Sequence, residues 1–160
     1  KTKFEAGKKY KVRLLVKKWG SVKIEFDEIN FEIKSAKIIL SKIERCDVEK
    51  FKYHKTTFRP WDDELKKAKL NGFGEVLFIN ENDELLEGAI SNLVIEKNGR
   101  RFTPPIELGI LNGCYRKYLL DNKLCSEKRL TLTDLKNADK IIFCNSVRKE
   151  ILVDEIIEKI

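Results

Sequence analysis

The sequence predicts an α+β fold with many short strands and few helices. Three features predict it: short runs of apolar, β-branched residues bounded by polar turns, a strong hairpin signal at Asn98-Gly99, and only brief stretches with helical spacing. The 160 residues are enough for one ordinary domain or slightly more, and the hydrophobic content of 42% is typical of globular proteins.

The first predicted elements are strands. Branched apolar residues alternate from Tyr10 to Val16, and Trp19-Gly20-Ser21 has turn chemistry. A second strand is predicted over Val22 to Phe26 and a short third strand over Lys37 to Leu40. Together they are typical of a meander in an antiparallel or mixed sheet.

A helix is predicted in the middle of the chain, between short strands. Pro60 lies near its start, where a lost amide costs little, and Asp62 and Asp63 favour its positive N-terminal end. The helix is predicted to end at Asn71-Gly72. The strands predicted around it are 51–55, 75–80, 85–96 and 101–103.

The last third of the chain is predicted to mix helices and strands. Gly113 opens a helix with apolar residues at helical spacing up to Leu120. Thr133 or Asp134 is predicted to cap a small helix that ends at Ala138. The strands predicted here are 130–132, 140–145 and a final one from Ile151 onward.

Composition argues against several classes of function. The net charge of +7 comes from basic residues interleaved with acids, which indicates a solvated surface rather than a nucleic-acid site. No apolar run could span a bilayer and no secretory signal is present, so we expect a soluble, cytoplasmic protein. A single histidine, His54, and the cysteine spacing indicate neither a metal site nor a disulfide framework. Four cysteines are predicted to be reduced thiols: Cys46, Cys114, Cys125 and Cys144.

Four segments carry residues suited to chemistry, and their order along the chain is more informative than any one of them. They are His54-Lys55-Thr56-Thr57, Leu86 to Leu93 (LEGAISNL), Thr103 to Arg116 (TPPIELGILNGCYR) and Phe143 to Arg148 (FCNSVR). Taken alone, each has a plain structural interpretation. A lysine after a strand is usually solvated, a Glu-Gly pair usually forms a turn, and Asn-Gly before a helix usually forms a cap.

This ordered set resembles the class IV aminotransferase family, the fold-type IV enzymes that use pyridoxal 5'-phosphate (PLP). The resemblance covers the chain from about Tyr10 to its end. It implies a D-amino acid aminotransferase-like large domain over residues 46–160, preceded at residues 1–45 by the tail end of the small N-terminal domain. Family members carry further residues upstream and the sequence contains no methionine, so we expect it to begin inside a larger gene product.

The resemblance assigns two catalytic residues. It implies that Lys55 holds the cofactor as a Schiff base and moves protons at the substrate carbon, roles that need an uncharged amine in a partly desolvated site. It implies that Glu87 keeps the pyridine nitrogen protonated, which makes the cofactor an electron sink. Leu86 stands where serine is common in the family. The alternative interpretations are a surface lysine and a turn glutamate.

The resemblance also implies how the phosphate and the substrate are held. Backbone amides of a loop that leads into a helix bind the phosphate, assisted by a second loop on the same side. The candidate residues in these loops are Asn112, Gly113, Cys114, Tyr115, Asn145 and Ser146. Arg59 and Arg148 are candidates for contacts with the substrate, and Phe58 stands before Arg59 where the family often has asparagine. Ser146 as an ordinary cap and Arg148 as a surface arginine stay open.

Within the family, the motifs are most similar to 4-amino-4-deoxychorismate lyases, which form 4-aminobenzoate and pyruvate for folate synthesis. A positive net charge suits a substrate with two carboxylates. An aminotransferase for branched-chain or D-amino acids would share Lys55 and Glu87, and a degenerate non-catalytic domain also stays open. The resemblance implies a homodimer, with aminobenzoate synthase as a candidate partner; neither nucleic acid nor a membrane is expected as a partner.

Overall fold

The computed structural model describes residues 4–29, 35–42 and 53–157. The chain divides into two compact units, residues 1–33 and residues 34–160. The boundary at residue 45 inferred from the family resemblance concerns the division of whole family members and stays a prediction.

The smaller unit is a two-stranded antiparallel hairpin. Strand β1 (Tyr10–Val16) pairs along its whole length with β2 (Val22–Glu28), with Leu14 opposite Ile24. Both predicted strands are confirmed, and β2 extends two residues beyond the predicted end at Phe26. Gly20 adopts a left-handed backbone in the connecting turn, with φ of 80°, which a residue without a β-carbon adopts without strain.

In the described residues, the larger unit contains one eight-stranded mixed sheet and three α-helices. The strand order is β5-β4-β3-β10-β9-β6-β7-β8. The strands are β3 (Ser35–Ser41), β4 (Glu75–Ile79), β5 (Leu85–Gly88), β6 (Asn92–Lys97), β7 (Arg100–Thr103), β8 (Ser126–Glu127), β9 (Lys140–Asn145) and β10 (Lys149–Ile157). The α-helices are α1 (Asp62–Leu70), α2 (Cys114–Asp121) and α3 (Leu132–Lys136), and a 3₁₀ turn covers Ile106–Leu108.

The sheet curls, because two of its strands are adjacent in sequence but distant in strand order. Strand β5 lies at one edge and β6 is sixth in the order, yet only Ala89, Ile90 and Ser91 separate them in the chain. The backbone N–H of Gly88 donates to the carbonyl of Ser91 over 2.7 Å. So short a connection requires the two strands to meet, which closes that side of the sheet.

Among the residues that the structure describes, buried apolar side chains form three clusters, because successive residues of a strand point to opposite faces of the sheet. One cluster gathers residues from β3, β4, β5, β6 and β9, so it lies on the inner face of the curl; its largest member is Phe143. A second packs α1 against the outer face of β4 through Leu65 and Phe78. A third packs α2 against β6 and β9 through Leu119 and Ile142.

Two strand predictions are corrected by this topology. The third predicted strand does not continue a meander, because β3 pairs in parallel with β4 and β10 in the larger sheet. The predicted strand over residues 85–96 is two strands, β5 and β6, interrupted by the turn that closes the curl. Hydrophobic patterning does not report this interruption, since Ala89 and Ile90 are apolar like the strand residues on either side.

Two shorter predictions are also wrong. Residues 53–55 form a turn and irregular backbone rather than a strand, while residues 51 and 52 of the same prediction lie outside the described residues. The predicted strand 130–132 is a single bridge between Thr131 and Glu84. Thr131, rather than Thr133 or Asp134, is the N-cap of α3, and Asp134 completes a reciprocal capping box with it.

The described cysteines are free thiols in chemically quiet positions. Burial raises the pKa of Cys125 to about 11 and that of Cys144 to about 12, so both stay protonated at neutral pH. Cys114 is also free and is exposed, and Cys46 lies outside the described residues. Within the described part of the chain, none of the helices has the length and hydropathy needed to cross a bilayer.

Candidate active site

Glu87 lies at the end of β5 and is buried, with 6% of its surface exposed. Both of its carboxylate oxygens lie 3.1 Å from the backbone N–H of Leu111, and Oε2 also accepts from the side-chain amide of Asn92 over 3.0 Å. A buried carboxylate requires such donors, because its charge is costly in an apolar interior. Glu87 is therefore fixed in place by the loop that precedes α2.

Asn92 connects the two halves of this arrangement. Its Nδ2 donates to Glu87 and also to the carbonyl of Leu111, over 2.8 Å. The residue is buried at the first position of β6, directly after the turn. Asn92 belongs to the LEGAISNL segment, but the family resemblance assigns it no role. The only indication in the sequence is its position five residues after Glu87.

Gly113 is the N-cap of α2 and approaches Asn92 so closely that a side chain has no room. A β-carbon added to Gly113 would lie 2.2 Å from Oδ1 of Asn92. Within the described residues, no side chain caps the first turn of α2. The first backbone N–H groups of a helix lack partners within the helix and suit an anion. Here these groups belong to Cys114, which is exposed, and Tyr115, which is half-buried.

Substituting Gly113 by alanine is expected to destabilise the protein by about 1–3 kcal/mol, the usual cost of forcing an extra methyl group into a packed site. The backbone φ of −63° suits alanine, so the clash with Asn92 is the only cost. Chemical denaturation measures the effect, and Cys114→Ala at the next, exposed position is the control. If Gly113→Ala is as stable as the Cys114→Ala variant, the close contact with Asn92 is wrong.

Arg116 holds the loop that precedes α2 in place from a buried position. It is 1% exposed, its Nη1 donates to Oδ1 of Asn112 over 3.1 Å, and its Nη2 donates to the carbonyl of Pro104 over 2.8 Å and forms an ion pair with Glu127. The TPP and LNGCYR motifs are thus tied together by one buried guanidinium. The predicted phosphate-loop residue Asn112 uses its side-chain oxygen for this anchor, which leaves its backbone for other contacts.

Lys55 is exposed and lies in irregular backbone before α1, so the described residues do not provide the partly desolvated surroundings expected of it. The segment that follows it is attached to the Glu87 turn, because Nη2 of Arg59 and Nε1 of Trp61 both donate to the carbonyl of Ala89, over 2.7 and 3.2 Å. Four residues of extended chain span at most about 14 Å. The α-carbon of Lys55 therefore lies within about that distance of the α-carbon of Arg59.

Arg59 itself is engaged with the protein. Besides donating to Ala89, its Nε lies 3.0 Å from Oδ1 of Asp62, an ion pair without hydrogen-bond alignment. These contacts give Arg59 a structural task in holding the Lys55 segment against the turn. Its predicted contact with substrate stays a prediction.

The second predicted loop follows β9. Nδ2 of Asn145 donates to the hydroxyl of Ser91 over 3.1 Å, while its Oδ1 accepts from the backbone N–H groups of Val147 and Arg148. Asn145 thus connects this loop to the turn after Glu87. Ser146 and Arg148 are exposed.

The structure adds a second buried carboxyl that the sequence analysis missed. Glu75, the first residue of β4, is 4% exposed and lies beneath the turn after Glu87. Its oxygens accept from the backbone N–H of Ile90 over 3.3 Å and from that of Val76 over 3.2 Å. Burial raises the pKa of Glu75 to about 7, and its hydrogen bonds, including one with Ser91, offset part of that rise.

Substituting Glu75 by glutamine is expected to remove a pH dependence of stability. Because the pKa of Glu75 is raised in the folded protein, its contribution is fully present below the ordinary pKa of 4.5 and is lost as pH rises through about 7. The change amounts to about 3 kcal/mol across that window. Urea unfolding from pH 4.5 to 8 measures it as the difference between wild type and variant. Parallel curves for the two proteins would contradict the raised pKa.

These groups match the polar parts of PLP in type. A buried carboxylate suits a protonated ring nitrogen, unpaired helix N–H groups suit a phosphate, and a lysine amine suits an aldehyde. The Asn92 side chain occupies the position that a β-carbon of Gly113 would take, so glycine lets the loop before α2 pack directly against the residue that bonds Glu87. By this test the residues present fit the cofactor.

A family model described as amino-transferase class IV matches residues 5–156. A candidate aminodeoxychorismate lyase from Schizosaccharomyces pombe is 37% identical over 78 residues, which is 47% of this chain and 34% of that protein. An aminodeoxychorismate lyase from Vibrio harveyi is 33% identical over 91 residues, 52% of this chain and 33% of that protein. The matched segments thus span about a third of each curated relative.

Solved structures agree on the fold. A candidate amino-acid aminotransferase from Mesorhizobium loti superimposes with a TM-score of 0.79 and 25% sequence identity, covering 91% of this chain and 72% of that one. The predicted α+β architecture of the fold-type IV enzymes is confirmed by this similarity.

Proposed function

This chain belongs to the amino-transferase class IV family, and from that membership we propose that it is the PLP-binding part of a 4-amino-4-deoxychorismate lyase, which forms 4-aminobenzoate and pyruvate for folate synthesis. One observation supports it most: the buried Glu87 carboxylate is bonded directly to the loop whose helix presents unpaired N–H groups. An acid and an anion-binding helix end joined in this way suit the two ends of one pyridine phosphate.

PLP supplies an electron sink for the bond cleavage when it is bound. Lys55 would attach the cofactor through Nζ and would move the proton at the substrate α-carbon. Glu87, whose carboxylate is held by Asn92 and Leu111, would keep the pyridine nitrogen protonated. The N–H groups of Cys114 and Tyr115, with the loop of Asn145 and Ser146, would hold the phosphate.

The lyase assignment is supported by the names of the two curated relatives. A substrate with two carboxylates suits the net charge of +7. Of the two candidate arginines we favour the exposed Arg148, since the Arg59 guanidinium already contacts the Ala89 carbonyl and Asp62. We further propose a cytoplasmic homodimer that delivers its product to folate synthesis, with aminobenzoate synthase as the candidate partner.

A second candidate function is transamination of a branched-chain or D-amino acid. The similarity to the Mesorhizobium loti structure, which covers most of this chain, favours it. The two functions share the same cofactor residues and separate only at the products.

Product analysis of the purified protein with PLP tests the proposal. With 4-amino-4-deoxychorismate, we expect 4-aminobenzoate and pyruvate in equal amounts, without any added keto acid. Glutamate formation that depends on 2-oxoglutarate would instead identify a transaminase. A lysine-bound cofactor gives an absorbance band at about 410–430 nm. If this band is absent, the protein does not bind PLP in this way and both functions are rejected.

A further inference from the structure

Two buried carboxyls adjoin one short turn, and only one of them has a task in the proposed chemistry. Glu87 enters the turn of residues Gly88 to Ser91, the 88–91 turn, and Glu75 lies beneath it. Burying a carboxyl is costly unless its oxygens are hydrogen-bonded. Hydrophobic packing therefore does not explain why a glutamate occupies the start of the buried strand β4.

The contacts of Glu75 show where its oxygens are used. Both of them lie 3.3 Å from the N–H of Ile90 in the middle of the 88–91 turn, and Ser91 also shares a hydrogen bond with the carboxyl. The stem of the side chain lies against Gly88, where an added β-carbon would be 3.0 Å from both Cγ and Cδ of Glu75. The carboxyl therefore contacts the turn along its length.

The other N–H groups of the turn and the hydroxyl of Ser91 are paired within the turn or with neighbouring strands. The N–H of Gly88 donates to the carbonyl of Ser91, the N–H of Ala89 to Val76 on β4, and the hydroxyl of Ser91 accepts from Asn145 on β9. The N–H of Ile90 has Glu75 as its acceptor. Without that carboxyl, the N–H is left unpaired and the turn loses its central support.

We propose that Glu75 is a positioning residue for the cofactor site, whose carboxyl oxygens fix the 88–91 turn and thereby the direction of Glu87. The turn is also the anchor of the Lys55 segment, through the bonds of Arg59 and Trp61 to Ala89. One buried carboxyl thus supports both elements that meet the cofactor. This inference rests on the proposed function for its consequence, although not for the contacts of Glu75.

The test compares two variants that separate the acceptor from the charge. Glu75→Gln keeps an oxygen for Ile90, whereas Glu75→Leu has a similar volume and no acceptor. We expect PLP affinity, measured by absorbance titration, to fall about tenfold in Glu75→Leu and to stay within about threefold of wild type in Glu75→Gln, as the loss of one buried hydrogen bond predicts. In the cofactor-free protein, amide exchange at Ile90 should be about tenfold faster in Glu75→Leu.

Val76→Ala is the matched control for general destabilisation. Val76 is the next residue of β4 and is buried against α1, so its truncation weakens packing and leaves the Ile90 acceptor in place. We expect a lower midpoint of unfolding with PLP affinity close to that of wild type. Should Glu75→Leu fail to fold, Glu75→Asp, which withdraws the carboxyl by one carbon, replaces it.

Three results would overturn the inference: unchanged PLP affinity in Glu75→Leu, unchanged exchange at Ile90, or a loss in Glu75→Gln as large as that in Glu75→Leu. The proposed function fails separately. If wild type does not bind PLP while Ile90 still loses protection in Glu75→Leu, the carboxyl supports the turn but the turn does not serve this cofactor, and the positioning role in catalysis is rejected together with the function.

Discussion

Substituting Lys55 by alanine is expected to abolish covalent retention of PLP, because the Lys55 amine is the group proposed to attach the aldehyde. Borohydride reduction followed by peptide mass spectrometry measures the retention: wild type should carry the reduced cofactor on the peptide that contains Lys55, and the variant should carry none. Turnover should fall to background at the same time, since the same amine moves the proton at the substrate carbon.

A surface lysine nearby provides the control. Lys69 lies exposed on α1, the helix that follows the Lys55 segment, and Lys69→Ala should leave labelling and turnover unchanged. Labelling of any lysine other than Lys55 in wild type would contradict the assignment. So would full retention of reduced cofactor by the Lys55→Ala variant.

Substituting Glu87 by glutamine is expected to slow turnover by about 100-fold or more while leaving part of the PLP binding intact. Glutamine keeps an oxygen for the N–H of Leu111 and for Asn92, so the loop before α2 should stay in place. What is lost is the negative charge that holds the ring nitrogen protonated. Steady-state kinetics should show the loss mainly in kcat, because the cofactor is held while its electron-withdrawing power is reduced.

Glu81→Gln provides the comparison. Glu81 is exposed in the turn between β4 and β5, so this substitution removes the same charge outside the site. That variant should keep wild-type kinetics. Equal rates for the Glu87→Gln variant and wild type would contradict the role of Glu87 in the reaction.

Regular elements could be predicted wherever local chemistry decides them. The hairpin at Asn98-Gly99 is one example: both residues have positive φ, 50° and 70°, as the tight turn between β6 and β7 requires. Helix α1 likewise begins after Pro60 and ends at Asn71, as its end signals predict. Such signals act over a few residues and are present in the sequence itself.

Features that depend on partners distant in the chain could not be predicted. Whether β3 pairs with β2 or with β10 depends on residues more than 100 positions away, and nothing in Ser35–Ser41 encodes that choice. The burial of Glu75 has a similar origin, because it depends on the 88–91 turn, whose Ile90 lies 15 positions further along the chain. A glutamate at the start of a strand is otherwise an ordinary solvated residue.

The candidate site lies between these cases. Motif order located Glu87 and the loop before α2, and the structure joins the two through Leu111 and Asn92. The motifs did not predict that Arg59 supports the turn or that Arg116 is buried. A sequence does not show whether an arginine side chain is buried or exposed.

The central position of β10 in the strand order constrains how this protein can fold while it is being synthesised. Its neighbours are β3 and β9, so neither of these strands has its β10 partner until residues 149–157 have left the ribosome. Until then β3 and β9 each present an open edge with unpaired backbone groups, a state prone to association. We therefore expect nascent chains truncated before residue 149 to depend on chaperones, and the released chain to acquire its compactness late and in one step.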